Sequence, residues 1–503
     1  MTALTRRALL ASAALPLFGC DSTPEIAGGF SGTHPERGHL LQTSAAGQPS
    51  AWPAASVTRS TQVVIAGGGV AGLAAARALR QRGIEDFVML ELEDSAGGNS
   101  RDGVLAGIAC PLGAHYLPVP GDNAREVQDL LEELGLRQRV AGRWTYDERH
   151  LCHSPQERLF FAGQWQEGLL PVQGVGTQTL SQYRRFAALV AQAGKAARFT
   201  IPASKVPIAP AHRALDAITF VAWLNQAQLI DAHLRWYLDY CCRDDYGAGI
   251  ATVSAWAGIH YFASRHGFHA PGEEDGERDA VLTWPEGNGW LARQLAAPLA
   301  RRLHTGQVVT RIAQGRHGVQ VEAFNVLTQA VERWQAAHCI VALPVFVAAR
   351  VVENPGELLR QAAGRTRYAA WLVANLHLRE PLADRPGAAP AWDNVIHGAP
   401  GLGYVDARHQ RLDPTPGATV LTWYRPLGGE GRSRQQLLKA PWQTWREAML
   451  AELSVAHPDL PSKATRIELT RYGHAMAIPV PGNLAFRPGP AALRAGQIGR
   501  AHV

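Results

Sequence analysis

Residues 62–72 read Gln62-Val63-Val64-Ile65-Ala66-Gly67-Gly68-Gly69-Val70-Ala71-Gly72, and the fold is decided there. Gln62 to Ala66 is a short, mostly β-branched run, the pattern of a buried parallel strand. The glycines follow at once with the spacing G-x-G-x-x-G. Leu73 to Gln81 continues as a helix pattern closed by Gly83. Asp86 to Leu92 (DFVMLEL) reads as the second strand, with Glu91 at its end. Strand, glycines, helix, second strand and acid form a dinucleotide-binding arrangement. Gly67 permits the tight turn, Gly69 lets backbone approach a pyrophosphate, and Gly72 lets the helix pack closely on the strand. Val70 and Ala71 open that helix, whose free N–H groups and partial positive charge suit phosphates. The Glu91 carboxylate can accept bonds from both ribose hydroxyls, and its charge argues against a 2′-phosphate there.

Outward from this unit, the composition is ordinary. The chain has 503 residues, and about 150 residues per domain suggests about three folding units. Hydrophobic residues at 46% and charged residues at 18% exclude wholesale disorder. No apolar run reaches the roughly 20 residues of a membrane-spanning helix. The 50 Gly and 32 Pro show no repeat period, which excludes collagen-like and solenoid folds. The net charge of +6 is scattered without a Lys/Arg run, so no nucleic-acid partner is expected. Of the 49 cations only Lys195, Lys205, Lys439 and Lys463 are lysines, which reads as GC-rich codon usage.

The N-terminus reads as an export signal over residues 1–20. Arg6-Arg7 precedes the apolar stretch Ala8–Gly19, in the manner of a twin-arginine signal. Leu17-Phe18-Gly19-Cys20 resembles a lipobox, with Cys20 lipidated and Asp21 favouring inner-membrane retention. A periplasmic protein anchored to the membrane by lipid is the expectation. Residues 21–60, rich in Gly, Ser, Thr, Pro and Ala, read as a flexible linker. Five further cysteines, Cys110, Cys152, Cys241, Cys242 and Cys339, include no C-x-x-C pair, so no metal is expected.

Val127, Leu130, Leu131 and Leu134 recur at helical spacing, as do the runs Phe186–Val190 and Phe220–Leu224, so residues from about 120 to 270 read as mostly helical. Glu286-Gly287-Asn288-Gly289-Trp290-Leu291 is a glycine-rich turn opening a helix. Val308–Ile312 and Val319–Ala323 flank a turn at Gly315–Gly318 as a hairpin, and Ile340–Pro344 is a buried strand stopped by proline. Trp371–Leu378 and Thr419–Trp423 are strand-like.

After Glu91 the chain continues Glu93-Asp94-Ser95-Ala96-Gly97-Gly98-Asn99-Ser100-Arg101. Here the sequence resembles the flavin-containing amine oxidase superfamily, which also holds phytoene-desaturase-like and protoporphyrinogen-oxidase-like enzymes. That group carries a D-x-x-G-G-R turn against the ribose and pyrophosphate of FAD. Gly97 and Gly98 match, Asn99 stands in place of the arginine, and Arg101 follows two residues later. Pro111-Leu112-Gly113-Ala114-His115-Tyr116 is similar to the segment these enzymes lay beside the isoalloxazine ring, Trp284–Leu291 to their second helix start, and His338–Pro344 to their return strand. Val309 sits where a valine backbone meets adenine.

The resemblance implies FAD as cofactor and a Rossmann-like α/β FAD-binding domain interleaved with an α+β substrate domain. The FAD domain would comprise residues 61–116 and 286–350, and the substrate domain 117–285 and 351–490. It implies hydride transfer from a small organic molecule, amine or polyene-like, to flavin N5, with oxygen or a quinone as acceptor. His115 and Tyr116 are the candidate catalytic residues, and Trp423 with Tyr424 a candidate aromatic cage. The lysine usual on a substrate-domain strand is missing from Trp371–Leu376. With Asn99, that keeps open a non-catalytic lipoprotein using the nucleotide fold as a binding or assembly module.

A third FAD segment is expected after Tyr472–Pro481. Instead the chain closes Ile498-Gly499-Arg500-Ala501-His502-Val503, which ATC-GGA-AGA-GCA-CAC-GTC encodes. That is the opening of a sequencing adapter, so residues 491–503 read as a non-native tail.

Overall fold

The computed structural model describes residues 25–42, 52–272, 280–412, 415–429, 433–486 and 499–500. Arg6, Arg7 and Cys20 lie outside them, as does the tail 491–503 apart from Gly499 and Arg500, which run parallel to Ile340 and Val341.

Two large sheets organise the chain. The first is ordered Leu303–His304, Phe87–Leu90, Val57–Ala66, Ala330–Val341, Gly318–Asn325, Gln307–Gly315. Its first four strands are parallel and its last two form an antiparallel hairpin. Side chains of Val57–Ala66 divide by strand period. Val63 and Ile65 pack with Leu73 and Ala76 of the helix Val70–Gln81, while Val64 and Ala66 pack with Leu41, Val308 and Val341 on the other face. Both faces are covered, which is why the run is apolar throughout. Each such buried side chain contributes about 1.5–3 kcal/mol.

The second sheet has eight strands, ordered Ala27–Phe30, Ala464–Ile478, Arg367–Leu378, Thr419–Pro426, Tyr404–Asp406, Asp393–Ile396, Glu157–Phe161, Gln164–Glu167. The helix Trp442–Ser454 packs on one face, through Trp445, Met449 and Leu453 against Leu372, Ala374 and Leu376. Helices Thr177–Ala196, Phe220–Gln226, Ala232–Tyr246 and Ala255–Ala263 form the other layer, joined to Trp371, Val373 and Tyr424.

Two expectations are corrected. Residues 120–270 hold the helices but also four strands, Arg137–Val140, Arg143–Tyr146, Glu157–Phe161 and Gln164–Glu167. Leu159 faces one apolar layer and Phe160 the other, so this short strand shows no period to betray it. Residues 21–60 are not simply a flexible linker. Ala27–Phe30 pairs in parallel with Arg466–Leu469, Pro35–His39 is a helical turn, and the nucleotide strand begins at Val57. The small residues serve close approach: a Cβ on Gly28 would stand 1.8 Å from Ile467 O.

Candidate cofactor and substrate site

At the end of Val57–Ala66 the backbone turns through Gly67 at φ +104°, where a Cβ would lie 2.5 Å from Ala342 O. A Cβ on Gly72 would lie 2.0 Å from Gly67 O, so only glycine lets the helix start this near the strand. Gly69 precedes the helix as its cap, and Val70 at its head is 46% exposed. Val70, Ala71 and Gly72 precede the first amide, Leu73 N–H, that bonds back to Gly69 O. Gly97 N–H donates to Gly68 O (2.8 Å), and a Cβ on Gly98 would stand 3.2 Å from Gly69 Cα. The two glycine turns therefore abut with bare backbone, which lets a pyrophosphate approach without side-chain obstruction.

Glu91 is buried at the end of its strand. Its Oε2 accepts from Gly68 N–H (2.7 Å) and its Oε1 from Glu93 N–H (2.9 Å). Burial raises its pKa, while those two N–H groups and Arg101 oppose the rise. Each carboxylate oxygen keeps a further lone pair for a ribose hydroxyl. Gln307 N–H donates to Glu91 O (2.8 Å), which brings the start of the strand carrying buried Val309 beside the same site. Arg101 is buried, donates through Nε to Gly98 O (3.1 Å) and lies 3.7 Å from Glu93, so it braces the turn. Asn99 donates through Nδ2 to Ala475 O (2.6 Å) in the substrate sheet. The residue that departs from the family pattern thus ties the two sheets together.

From the turn the chain runs toward the second domain. Asn99 O accepts Ala114 N–H (2.9 Å), and a Cβ on Gly113 would lie 2.1 Å from that same oxygen. The glycine-rich helix start grips the segment. Asn288 N–H donates to Ala114 O (3.0 Å), Asn288 Nδ2 to Tyr116 O (2.8 Å), and Thr283 Oγ1 to His115 O (2.9 Å). Two motifs about 170 residues apart in the chain thus form one structure.

His115 stacks on Tyr424 with ring centroids 4.4 Å apart, and lies 5.1 Å from Tyr116 and 5.4 Å from Trp392. Tyr424 donates to Gly113 O (3.0 Å). Its neighbour Trp423 points to the opposite face and donates to Glu452, so strand alternation leaves one half of the expected cage in place. His115 also lines a small pocket with Pro111, Trp284, Trp392, Asp406 and Gln410, with room for about one water molecule. The His115 ring is half-buried, and desolvation holds its pKa down at about 3. Tyr116 donates to Asp244 Oδ2 (3.3 Å). Burial and then Asp245 push Asp244 up to about 7, and burial with Asp244 and Glu157 raises Asp393.

Several of these residues carry no sequence signal. Trp392, Asp244 and Asn375 belong to no motif. In the strand that lacks lysine, buried Asn375 donates to Pro111 O (3.1 Å) and accepts from Thr422 Oγ1 (2.8 Å). It fastens the segment carrying His115. Trp256 and His260 line a different small pocket among the helices. Among the described residues no group of three or more His, Cys, Asp or Glu could hold a metal, and no helix is long and apolar enough to cross a membrane.

The donor set fits FAD. A helix start with an open head and Cβ-free turns meets a diphosphate, a buried carboxylate ends the second strand, and a gripped segment leads from there to an aromatic cavity. Comparison with known proteins agrees. A profile of the family described as Flavin containing amine oxidoreductase matches residues 70–440. Wild-type putrescine oxidase bound to putrescine superposes with a TM-score of 0.63 at 17% identity, over 84% of this chain and 89% of that one. Cyclohexylamine oxidase from Brevibacterium oxydans IH-35A gives 0.62 at 19%, over 88% and 92%. A putative protoporphyrinogen oxidase from Exiguobacterium sp. 255-15 gives 0.58 at 16%, over 88% and 93%. Curated relatives align only locally. A Streptomyces coelicolor Baeyer-Villiger monooxygenase is 44% identical over 12% of this chain, and Drosophila melanogaster protein anon-37Cs 33% over 21%. Those matches span 11% and 22% of the relatives' own lengths. The chain belongs to the flavin-containing amine oxidoreductase family and is an FAD-dependent oxidoreductase.

Proposed function

We propose that the chain oxidises a small organic substrate, an amine or a polyene-like molecule, in the cavity beside His115, with oxygen or a quinone taking the electrons onward. FAD, when bound, supplies the acceptor for a hydride from the substrate carbon. Gly67, Gly69, Gly72, Glu91, Gly97 and Gly98 would hold it, with Gly113 and Ala114 beside its ring. One observation carries the assignment of chemistry to the cavity. Trp284 Nε1 is buried in the cavity wall and among the described residues has no hydrogen-bond partner. An unmet buried polar group costs about 1–3 kcal/mol and calls for a partner. The low pKa of half-buried His115 keeps its imidazole neutral, with one donor and one acceptor nitrogen. It orients substrate by hydrogen bonding and carries no charge at neutral pH. Trp284, Trp392 and Pro111 keep water from the reacting carbon. Tyr116, held by Asp244, fixes the far side of the His115 ring. The test is anaerobic mixing of the holoprotein with amines, carotenoids and porphyrinogens. Bleaching of the flavin band by one of them is expected; no bleaching by any of the three classes rejects this substrate range.

We also propose that the enzyme works at the periplasmic membrane face. The Arg6-Arg7 and Leu17–Cys20 patterns support it. Ala27, where the first strand begins, follows Cys20 by a handful of residues, so a lipid at Cys20 would hold the body within about 25 Å of the membrane. Arg6→Lys with Arg7→Lys should leave precursor in the cytoplasm on fractionation; normal export of that variant would point to the general secretory route.

A further inference from the structure

The first strand and the helical turn behind it make contacts that the flavin reading does not require. Ala27–Phe30 belongs to the substrate sheet, and Ser31 N–H (to Leu469 O, 2.9 Å) and Thr33 Oγ1 (to Arg471 O, 3.0 Å) continue that attachment. The Arg471 guanidinium covers the Phe30 ring at 3.8 Å. The chain then crosses to the other domain. His34 N–H donates to Glu93 Oε1 (3.1 Å), and His34 Nδ1 lies 2.8 Å from Glu93 Oε2. Arg37 Nη1 donates to Leu92 O (3.1 Å) and to Asp94 Oδ1 (2.7 Å). Leu41 then buries itself among Val64, Val88 and Leu90 beneath the nucleotide sheet.

The grasped residues are part of the cofactor turn. Glu93 N–H is one of the two donors that orient the Glu91 carboxylate. Glu93 also lies 3.7 Å from Arg101, which braces Gly98. One chain of contacts thus runs from His34 and Arg37 to the ribose acid on one side and the pyrophosphate turn on the other.

We propose that residues 27–41 are a clasp on the flavin site, whose docking against Leu92, Glu93 and Asp94 holds the cofactor turn closed and slows flavin release. The clasp rests on the flavin reading, and its residues are positioning residues. Its docking is thermodynamically linked to cofactor binding. Whatever the docked segment adds to flavin affinity, bound flavin adds equally to docking. The linkage supplies two independent readouts.

The experiment uses the full chain. Flavin release from holoprotein is followed by fluorescence recovery for wild type, for His34→Ala with Arg37→Ala, and for the control Glu36→Ala on the exposed side of the same turn. The double variant should release flavin on the order of tenfold faster, equivalent to about 1.4 kcal/mol, with the control at the wild-type rate. Trypsin cleavage after Arg37 in the wild-type chain should slow when FAD is added to the apoprotein. Unchanged release in the double variant together with unchanged cleavage on adding FAD overturns the clasp while leaving the flavin reading intact. Wild-type protein that takes up no FAD overturns both. If the double variant fails to fold, the cleavage protection in wild type alone decides between docking that is linked to flavin and docking that is not.

Discussion

The two ends of the site are built on opposite plans. The nucleotide end is local: Gly67, Gly69, Gly72, Glu91, Gly97 and Gly98 come from one stretch of 32 consecutive residues, and their contacts are to backbone. The substrate end is assembled at long range. His115 and Tyr116, Asp244, Trp392 and Tyr424 come together from four distant stretches of chain, mainly through contacts between side chains. Backbone recognition of a phosphate tolerates only glycine and so leaves a spacing in the chain. A side-chain wall can be made by many residues in many places and leaves none. The end built to hold a dinucleotide is therefore conspicuous in the sequence, and the end proposed to take the substrate is not.

Substitutions at the two ends should separate in kind. Gly72→Val should have the largest effect, because its Cβ would fall 2.0 Å from Gly67 O inside a packed strand–helix contact. A cost of about 1–3 kcal/mol from overpacking, with flavin content near zero, is expected by absorbance and thermal melting. A flavin-loaded Gly72→Val protein would break the backbone half of the comparison. Glu91→Ala should come next. Losing a hydrogen bond to a charged group, worth about 1.5–3 kcal/mol, should strip flavin during extensive dialysis while the fold persists. His115→Phe should do the reverse, keeping flavin while lowering the rate of flavin reduction by substrate roughly fivefold, since one neutral hydrogen bond is worth about 1 kcal/mol. Equal loss of flavin in His115→Phe and Glu91→Ala would dissolve the distinction between the ends.

A last effect sharpens the substrate end through pH. Asp244 faces Tyr116, Asp245, Arg265 and Arg243, and its pKa in the fold is about 7 against an ordinary value of 3.8. The folded chain therefore keeps a proton that the unfolded chain releases between these values. Stability falls as pH rises from about 4 to 7 and is unaffected by this group above that window. Asp244→Asn should flatten that part of the melting temperature–pH curve and raise Tm at pH 8. A curve parallel to wild type would show that Asp244 does not titrate there.

The same contrast explains what could be read. The strand Gln62–Ala66, the glycine turn and Glu91 were legible because each answers a covalent or hydrogen-bonding demand within a few residues. His115 and Tyr116 were legible through their neighbours, as the segment following Gly113. Tyr424 came only as half of a pair, because Trp423 turned out to face the other layer and Glu452. Asn375 was hidden because its strand lacks the lysine that would mark it, and a neutral amide carries no motif, although it bonds Pro111 O. The strand at Ala27–Phe30 was missed because Gly and Ala describe a loose tether and a tight backbone contact equally well. Only the partner strand, far along the chain, distinguishes them.

That partner strand also sets a clock. Thr33 bonds to Arg471 across 438 residues of sequence, so a part of the body made early is completed only when a strand far along the chain has followed it. At about 5–20 residues per second, synthesis alone leaves Ala27–Phe30 without its edge partner for roughly 20–90 s. Throughout that interval the N-terminus is attached to a domain that cannot close. A route that threads the chain as it emerges would carry the strand across before its partner is made. A route that waits for the finished molecule would take it with the sheet already joined, and the loading of cofactor would fall in the same compartment as the joining.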